Sequence, residues 1–244
     1  MKKLSKFLGS WRYWPTCIRF MLRSDLGISF AQRFAIIRDF YRITLSFENI
    51  PHYQRQILVF AEAILQQPRE SRGVIIEAGC FKGVSSAKFS LIAKMTGKTF
   101  YVFDSFQGIP PNDEAHEIYG SAVTFEEGDY AASLDTVQKN IREHGDIDSC
   151  RFVQGWFDDT FPDFKEPVAA AYLDVDLVSS TKTCIQYIWP LLQPDGVIYS
   201  QDAHLKDIQD LFADEVFWRE EVGTEPPTIR RDNKAQLLYV VKPG

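Results

Sequence analysis

Hydrophobic positions follow two different rhythms along the chain. Up to about residue 70 they recur at helical spacing. Phe30, Phe34, Ile37 and Tyr41 predict a helix over 29–43 with these four side chains facing the core. Ile57, Phe60, Ala61 and Ile64 predict a second helix over 53–65, bracketed by Pro51 and Pro68. From Gly73 onward the pattern becomes short, nearly continuous apolar runs at 73–77, 99–104, 150–154, 169–174, 196–202 and 235–241. Helical patterns lie between them, starting near Ser85 and over 134–144, 180–192 and 208–218. Strands that are apolar throughout and alternate with helices predict an α/β fold: a doubly wound, mostly parallel sheet covered on both faces. The change of rhythm divides the chain into an N-terminal helical extension, 1–70, and a main domain, 71–244.

Composition narrows the class. The 244 residues are 45% hydrophobic and include 19 Phe, 10 Tyr and 5 Trp, enough to build a core and to argue against disorder. No uncharged apolar run approaches the roughly 18 residues of a spanning helix, and Arg12, Arg19 and Arg23 interrupt any signal-peptide core. Four cysteines without a CxxC pair point to a reducing compartment, and the protein is expected in the cytoplasm.

Charge is distributed unevenly. The net charge is -6, but residues 1–42 carry +7 and the remainder -13. An acidic main body speaks against nucleic acid as a partner. The basic start, with Trp11, Tyr13, Trp14 and Phe20 among its cations, suits anionic lipid or a docking helix. The expectation is the docking helix, with its aromatics packed on the body and no membrane role. The extension is then expected to wall off the acceptor site or to form the contact of a homodimer.

In doubly wound sheets ligands bind at the C-terminal ends of the strands. Here those ends read Glu77-Ala-Gly79-Cys-Phe-Lys-Gly83, Asp104-Ser105-Phe106, Gly155-Trp156-Phe157, Asp174-Val-Asp176 and Gln201-Asp202. Carboxylates gathered along one edge repel one another, and a ligand or cation must offset that repulsion. The glycine turn lacks the GxGxxG spacing of dinucleotide binders, since position 81 is Phe. The looser spacing fits S-adenosyl-L-methionine, whose carboxylate can take free backbone N–H groups at a helix start. Asp104 ends the next strand, where a carboxylate can accept both ribose hydroxyls.

At this point the chain resembles a known family. The stretch Val102-Phe-Asp104-Ser105-Phe106-Gln-Gly108-Ile-Pro110 resembles the DSFxGLP segment of the macrocin O-methyltransferases (TylF type). Gly155-Trp156-Phe157-Asp158-Asp159-Thr160-Phe161-Pro162 is similar to their GWFxDTLP. Leu173-Asp174-Val-Asp176-Leu-Val-Ser-Ser180-Thr181 is similar to their LDxDxYxST, and 187–202 to their LYPxLxPGGxVxxDD. The helix over 130–145 falls in the matching place. The likeness spans about 73–204. It implies a class I (Rossmann-like) methyltransferase fold and an S-adenosylmethionine-dependent O-methyltransferase that uses a divalent metal, usually Mg2+, on sugar hydroxyls of glycosylated natural products.

Carried over position by position, the resemblance implies that Glu77, Gly79 and Gly83 line the methionine end of the cofactor. Asp104 and Ser105 would hold the ribose, and Gly155, Trp156 and Phe157 would border the adenine. Asp174, Gln201 and Asp202 would hold the metal. Gln201 departs from the family, which has a second Asp there; a carbonyl oxygen can still ligate a hard cation, with one charge fewer. Asp174 is a candidate ligand and base together, and His204 a further base at the same edge. His116, in the acidic insert 111–129, is expected to be solvated, and the insert to act as a lid. Two alternatives stay open: metal-independent methyl transfer to another small molecule, and a non-catalytic nucleoside-binding module.

Overall fold

The computed structural model describes residues 14–48, 54–68, 73–118 and 121–244. The readings placed on Trp11, Tyr13, Pro51 and Tyr53 lie outside the described residues. Three helices come first: α1 (Trp14–Leu22), α2 (Phe30–Ser46) and α3 (Gln54–Gln66). A reciprocal cap starts α2. Ser29 Oγ accepts the Gln32 N–H at 3.2 Å, and the Gln32 side-chain oxygen accepts the Ser29 N–H at 2.8 Å. The apolar face of α3 packs on the sheet through Phe60. Its ring centroid lies 4.9 Å from Phe89, 5.2 Å from Tyr172 and 5.7 Å from Tyr199.

Two sequence expectations fail here. Phe30 and Phe34 are exposed, and the buried face of α2 is Arg33, Ile36, Ile37, Phe40, Tyr41 and Ile43. The helix is apolar on two sides, so spacing alone fits either orientation. Arg33 settles it by donating inward to the carbonyls of Met21 and Ile28 at 2.9 and 2.8 Å. On α1, Phe20 is buried as expected, but Trp14 is exposed.

The main sheet has seven strands. They are β1 (Val74–Ala78), β2 (Phe100–Asp104), β5 (Cys150–Gln154), β6 (Val168–Leu173), β7 (Leu192–Ser200), β8 (Arg230–Asp232) and β9 (Leu237–Val241). Their order is β5-β2-β1-β6-β7-β9-β8. The first five run parallel, while β9 pairs antiparallel with both β7 and β8. A separate hairpin, β3 (Ala115–Ile118) with β4 (Ser121–Thr124), rises from the acidic insert. Neither that hairpin nor β8 carries the apolar run by which the other strands were predicted.

Helices cover both faces. Beside α3, helices α4 (Val84–Thr96) and α5 (Leu134–His144) pack on one, while α7 (Val178–Leu191) and α8 (Lys206–Ala213) pack on the other. A single turn, α6 (Phe157–Thr160), follows β5. The helix predicted over 208–218 breaks at Asp214, whose Oδ1 accepts the N–H groups of Val216 and Phe217. A π-helical turn, Phe217–Val222, follows. One buried cluster runs from Cys17 through α3 and α4 to Leu237, so the core is continuous across residue 70. No described helix is long and apolar enough to cross a membrane.

Candidate active site

Strand order reverses between β1 and β6, the place where parallel sheets open a crevice at their C-terminal ends. A cavity of about 570 Å³ lies there. Its walls include Gly79, Asp104, Ser105, Gly155, Trp156 and Phe157 on the β2 side, and Asp174, Asp176, Gln201 and His204 on the β6 side. Val123 of β4 and the following Phe125 contribute a third wall. Among the described residues, none before Gly79 lines it, so the helices α1–α3 do not wall this cavity.

The turn after β1 is built for close approach. Gly79 has φ 81°, and a Cβ there would lie 1.9 Å from the carbonyl oxygen of Asp174. The next residue, Cys80, donates its N–H to Asp104 Oδ2 at 2.7 Å, and Phe106 N–H donates to Asp104 Oδ1 at 2.7 Å. Two backbone donors therefore fix the Asp104 carboxylate, and each oxygen keeps a lone pair for a further donor. Ser105 serves mainly its own turn: Oγ accepts the Gln107 N–H at 3.0 Å and donates to the Gly108 carbonyl at 3.1 Å. Aromatic rings flank the space, with Phe81 and Tyr130 in edge contact and Trp156 and Phe157 also in its wall.

Glu77 and Gly83 stand back from the cavity. Glu77 is fully buried, accepts from Ser86 Oγ, and keeps Oε1 without a hydrogen bond. Burial pushes its carboxyl up to about 8. Gly83, at φ 74°, precedes α4 and packs on Val137 of α5.

On the β6 side three acids converge. Carboxylate oxygens of Asp174, Asp176 and Asp202 all lie within 4.8 Å of one another. Asp202 is fully buried, and its Oδ2 accepts the N–H groups of Val175 and Asp176, each at 3.1 Å. Burial first, and then the neighbouring carboxylates, hold Asp174 and Asp176 well above the usual range. Burial also raises Asp202, against its two backbone donors. Gln201 sits between them. With its nitrogen turned inward it donates to Asp174 Oδ1 at 3.2 Å and Asp202 Oδ1 at 3.0 Å; turned the other way it offers an oxygen at the same place. His204 lines the same wall, and burial lowers its imidazole below the ordinary value.

Asp176 was not among the metal ligands that the resemblance implied. The strand ends at Leu173, and Asp176 adopts φ 61°, which returns its carboxylate to the acid group. Glu114 caps α7 instead: its oxygens accept from Val178 N–H at 2.7 Å, Ser179 N–H at 3.0 Å and Ser179 Oγ at 2.6 Å. His116, expected in solvent, is buried, with Nδ1 3.2 Å from Asp207 Oδ2 on α8. The acidic insert is thus a hairpin fastened at two points over the strand edge. The doubled acid in Leu173-Asp174-Val-Asp176 was a visible signal for Asp176; nothing local marked Glu114.

A mostly parallel seven-strand sheet whose crevice opens between β1 and β6 is the class I methyltransferase fold. The chain belongs to the macrocin O-methyltransferase (TylF) family, whose model matches residues 55–237. It is 30% identical over 149 residues to the 8-demethyl-8-(2,3-dimethoxy-alpha-L-rhamnosyl)-tetracenomycin-C 4'-O-methyltransferase of Streptomyces olivaceus, covering 58% of this chain and 57% of that protein. It is 32% identical over 144 residues to the Mycinamicin III 3''-O-methyltransferase of Micromonospora griseorubida, covering 53% and 55%. These matches therefore span just over half the length of each relative. In fold it is similar to a calicheamicin methyltransferase, with TM-score 0.59, 18% identity and coverage of 84% and 91%.

Proposed function

We propose that the chain is an S-adenosyl-L-methionine-dependent O-methyltransferase acting on a sugar hydroxyl of a glycosylated natural product, assisted by a divalent cation such as Mg2+. The observation that carries this is one cavity with two unlike carboxylate sites. Asp104 is held by two N–H groups, while Asp174, Asp176 and Asp202 crowd together opposite. The names of two relatives support the acceptor class: one is a 4'-O-methyltransferase of a rhamnosyl-bearing tetracenomycin, the other a 3''-O-methyltransferase of mycinamicin III.

The residues fit both groups. Asp104 offers two oriented acceptors to a ribose diol, and Gly79 leaves the room a side chain would take. The acid group presents hard oxygen donors. Around it lie further carboxyl groups, Glu77, Asp104 and Asp129, and the His116 ring. The cofactor supplies an already activated methyl, so the protein's task is alignment. The chain would align the acceptor oxygen for in-line displacement at that methyl, and the hydroxyl proton would pass to a base. A bound cation would lower the pKa of that hydroxyl. Asp174, Asp202 and the Gln201 oxygen would hold it, with Asp176 as a further donor. Asp174 and His204 line the same wall; lowered by burial, His204 is neutral near pH 7 and can take the proton.

One observation favours a metal-free variant of this reading: the Gln201 carboxamide can donate to both Asp174 and Asp202 and satisfy them without a cation. Calorimetric titration with S-adenosyl-L-methionine tests the fold-level half of the proposal. Chelation tests the other half: activity lost in EDTA and restored by magnesium supports the cation, and activity indifferent to EDTA selects the metal-free variant.

A further inference from the structure

Both N-terminal helices have a buried face, yet five apolar side chains stay outside. On α1 these are Trp14, Ile18 and Leu22, 41%, 50% and 72% exposed and spaced by four residues. On α2 they are Phe30 and Phe34, 56% and 54% exposed and again spaced by four. Residues four apart on a helix lie on one side of it. Arg33 joins the two rows. Its guanidinium holds the carbonyls of Met21 and Ile28, so the end of α1 lies against the first turns of α2. Leu22 and Phe34 are the chain neighbours of Met21 and Arg33 at this junction.

The rim of this face is cationic. Arg38 and Arg42 continue the Phe30–Phe34 row at the same spacing, with side chains 56% and 77% exposed. They share one acid, Asp39, at 2.9 and 3.5 Å. Helix α1 contains no acidic residue; its Arg19 and the following Arg23 pair with Glu62 of α3 at 3.2 and 2.7 Å, and Arg23 also with Asp25, while the sequence over 1–24 holds six Lys/Arg and no Asp or Glu. Apolar rows bordered by cations form the pattern of a helix that lies in a lipid headgroup layer. A twofold pairing of two copies through this face would bring two +7 segments together.

We infer that α1 and α2 rest on an anionic lipid surface, with Ile18, Leu22, Phe30 and Phe34 entering the headgroup layer and Arg38 and Arg42 facing the lipid charge. The cavity lies elsewhere on the molecule, so this docking is independent of the proposed reaction.

The test is co-sedimentation of the full chain with vesicles of phosphatidylcholine alone and of phosphatidylcholine with phosphatidylglycerol. Binding is expected to the anionic vesicles, to weaken with added salt, and to fall about tenfold or more in Ile18→Ser/Leu22→Ser. Circular dichroism and sedimentation velocity of that variant are run alongside. If it fails to fold, Arg38→Glu/Arg42→Glu carries the test and should cut anionic binding about tenfold. Equal binding to both vesicle types, or binding unchanged in the folded variants, overturns the inference. So does a dimer that dissociates in Ile18→Ser/Leu22→Ser without any vesicle binding, which would make a second copy the occupant.

Discussion

Asp104 and Asp174 both end parallel strands, and both line one cavity, yet their surroundings prepare them for opposite work. Asp104 has two short backbone N–H bonds and stands outside the three-acid group. It is a fixed acceptor that awaits neutral donors such as hydroxyls. Asp174 has Asp176 and Asp202 close by, and burial with repulsion drives its carboxyl upward. It awaits a positive charge or a proton. Residue type is the same in the two places; the difference lies in how many backbone donors and how many other acids the following turn delivers.

The comparison breaks most visibly at Asp174. Asp174→Asn should lower turnover by about 100-fold or more, the usual scale for a lost acid–base group, while cofactor affinity stays within a few-fold. Equal losses in turnover and cofactor binding, by kinetics and calorimetry, would erase the division of labour. Next in size is the acid between them. Glu77 lies on the intervening strand and touches neither ligand space, and its folded value of about 8 lies above its ordinary one. Its favourable protonated state is therefore complete below the ordinary carboxylate range and is lost as pH rises toward 8. Thermal stability should fall over that window, by an amount of the order of a few kcal/mol, and Glu77→Gln should flatten the slope. A parent and variant with parallel stability-versus-pH curves would contradict this.

Asp104→Ala should weaken cofactor binding by about 1–3 kcal/mol, the range for hydrogen bonds to a charged group, with magnesium dependence unchanged. Unaltered affinity by calorimetry would remove Asp104 from the ribose role. The smallest effect belongs to Gln201→Asp. One more carboxylate in the acid group should tighten magnesium binding about tenfold and leave cofactor affinity alone. A variant that binds magnesium no better would show that the carboxamide was never the weak point of the set.

Most of the sheet was legible because its strands are apolar throughout. The runs ending at Asp104 and Gln154 coincide with β2 and β5 at their C-terminal ends, and the helix over 134–144 is α5 residue for residue. The strand ends were legible too, since acids and glycines there interrupt the apolar pattern. What escaped was set by contacts distant in sequence. Phe30 and Phe34 fit a helical stripe as well as Ile36 and Phe40 do, and only the reach of Arg33 to Met21 chose between them. The β3–β4 hairpin shows no apolar run, because it is held from outside: Glu114 on the start of α7 and His116 on Asp207. Asp176 required a left-handed backbone residue that no periodicity announces.

The contact between Gly79 and the Asp174 carbonyl has a consequence for redesign. Exchanging one hydrogen for a methyl at residue 79 would push that group to 1.9 Å from the oxygen. The turn after β1 and the backbone that carries the acid group are therefore a single mechanical part, with no slack between them. An engineer who wishes to widen the acceptor range cannot loosen one without unseating the other. The adjustable part is the roof, where Val123 and Phe125 meet the cavity on a hairpin that pairs with no strand of the main sheet.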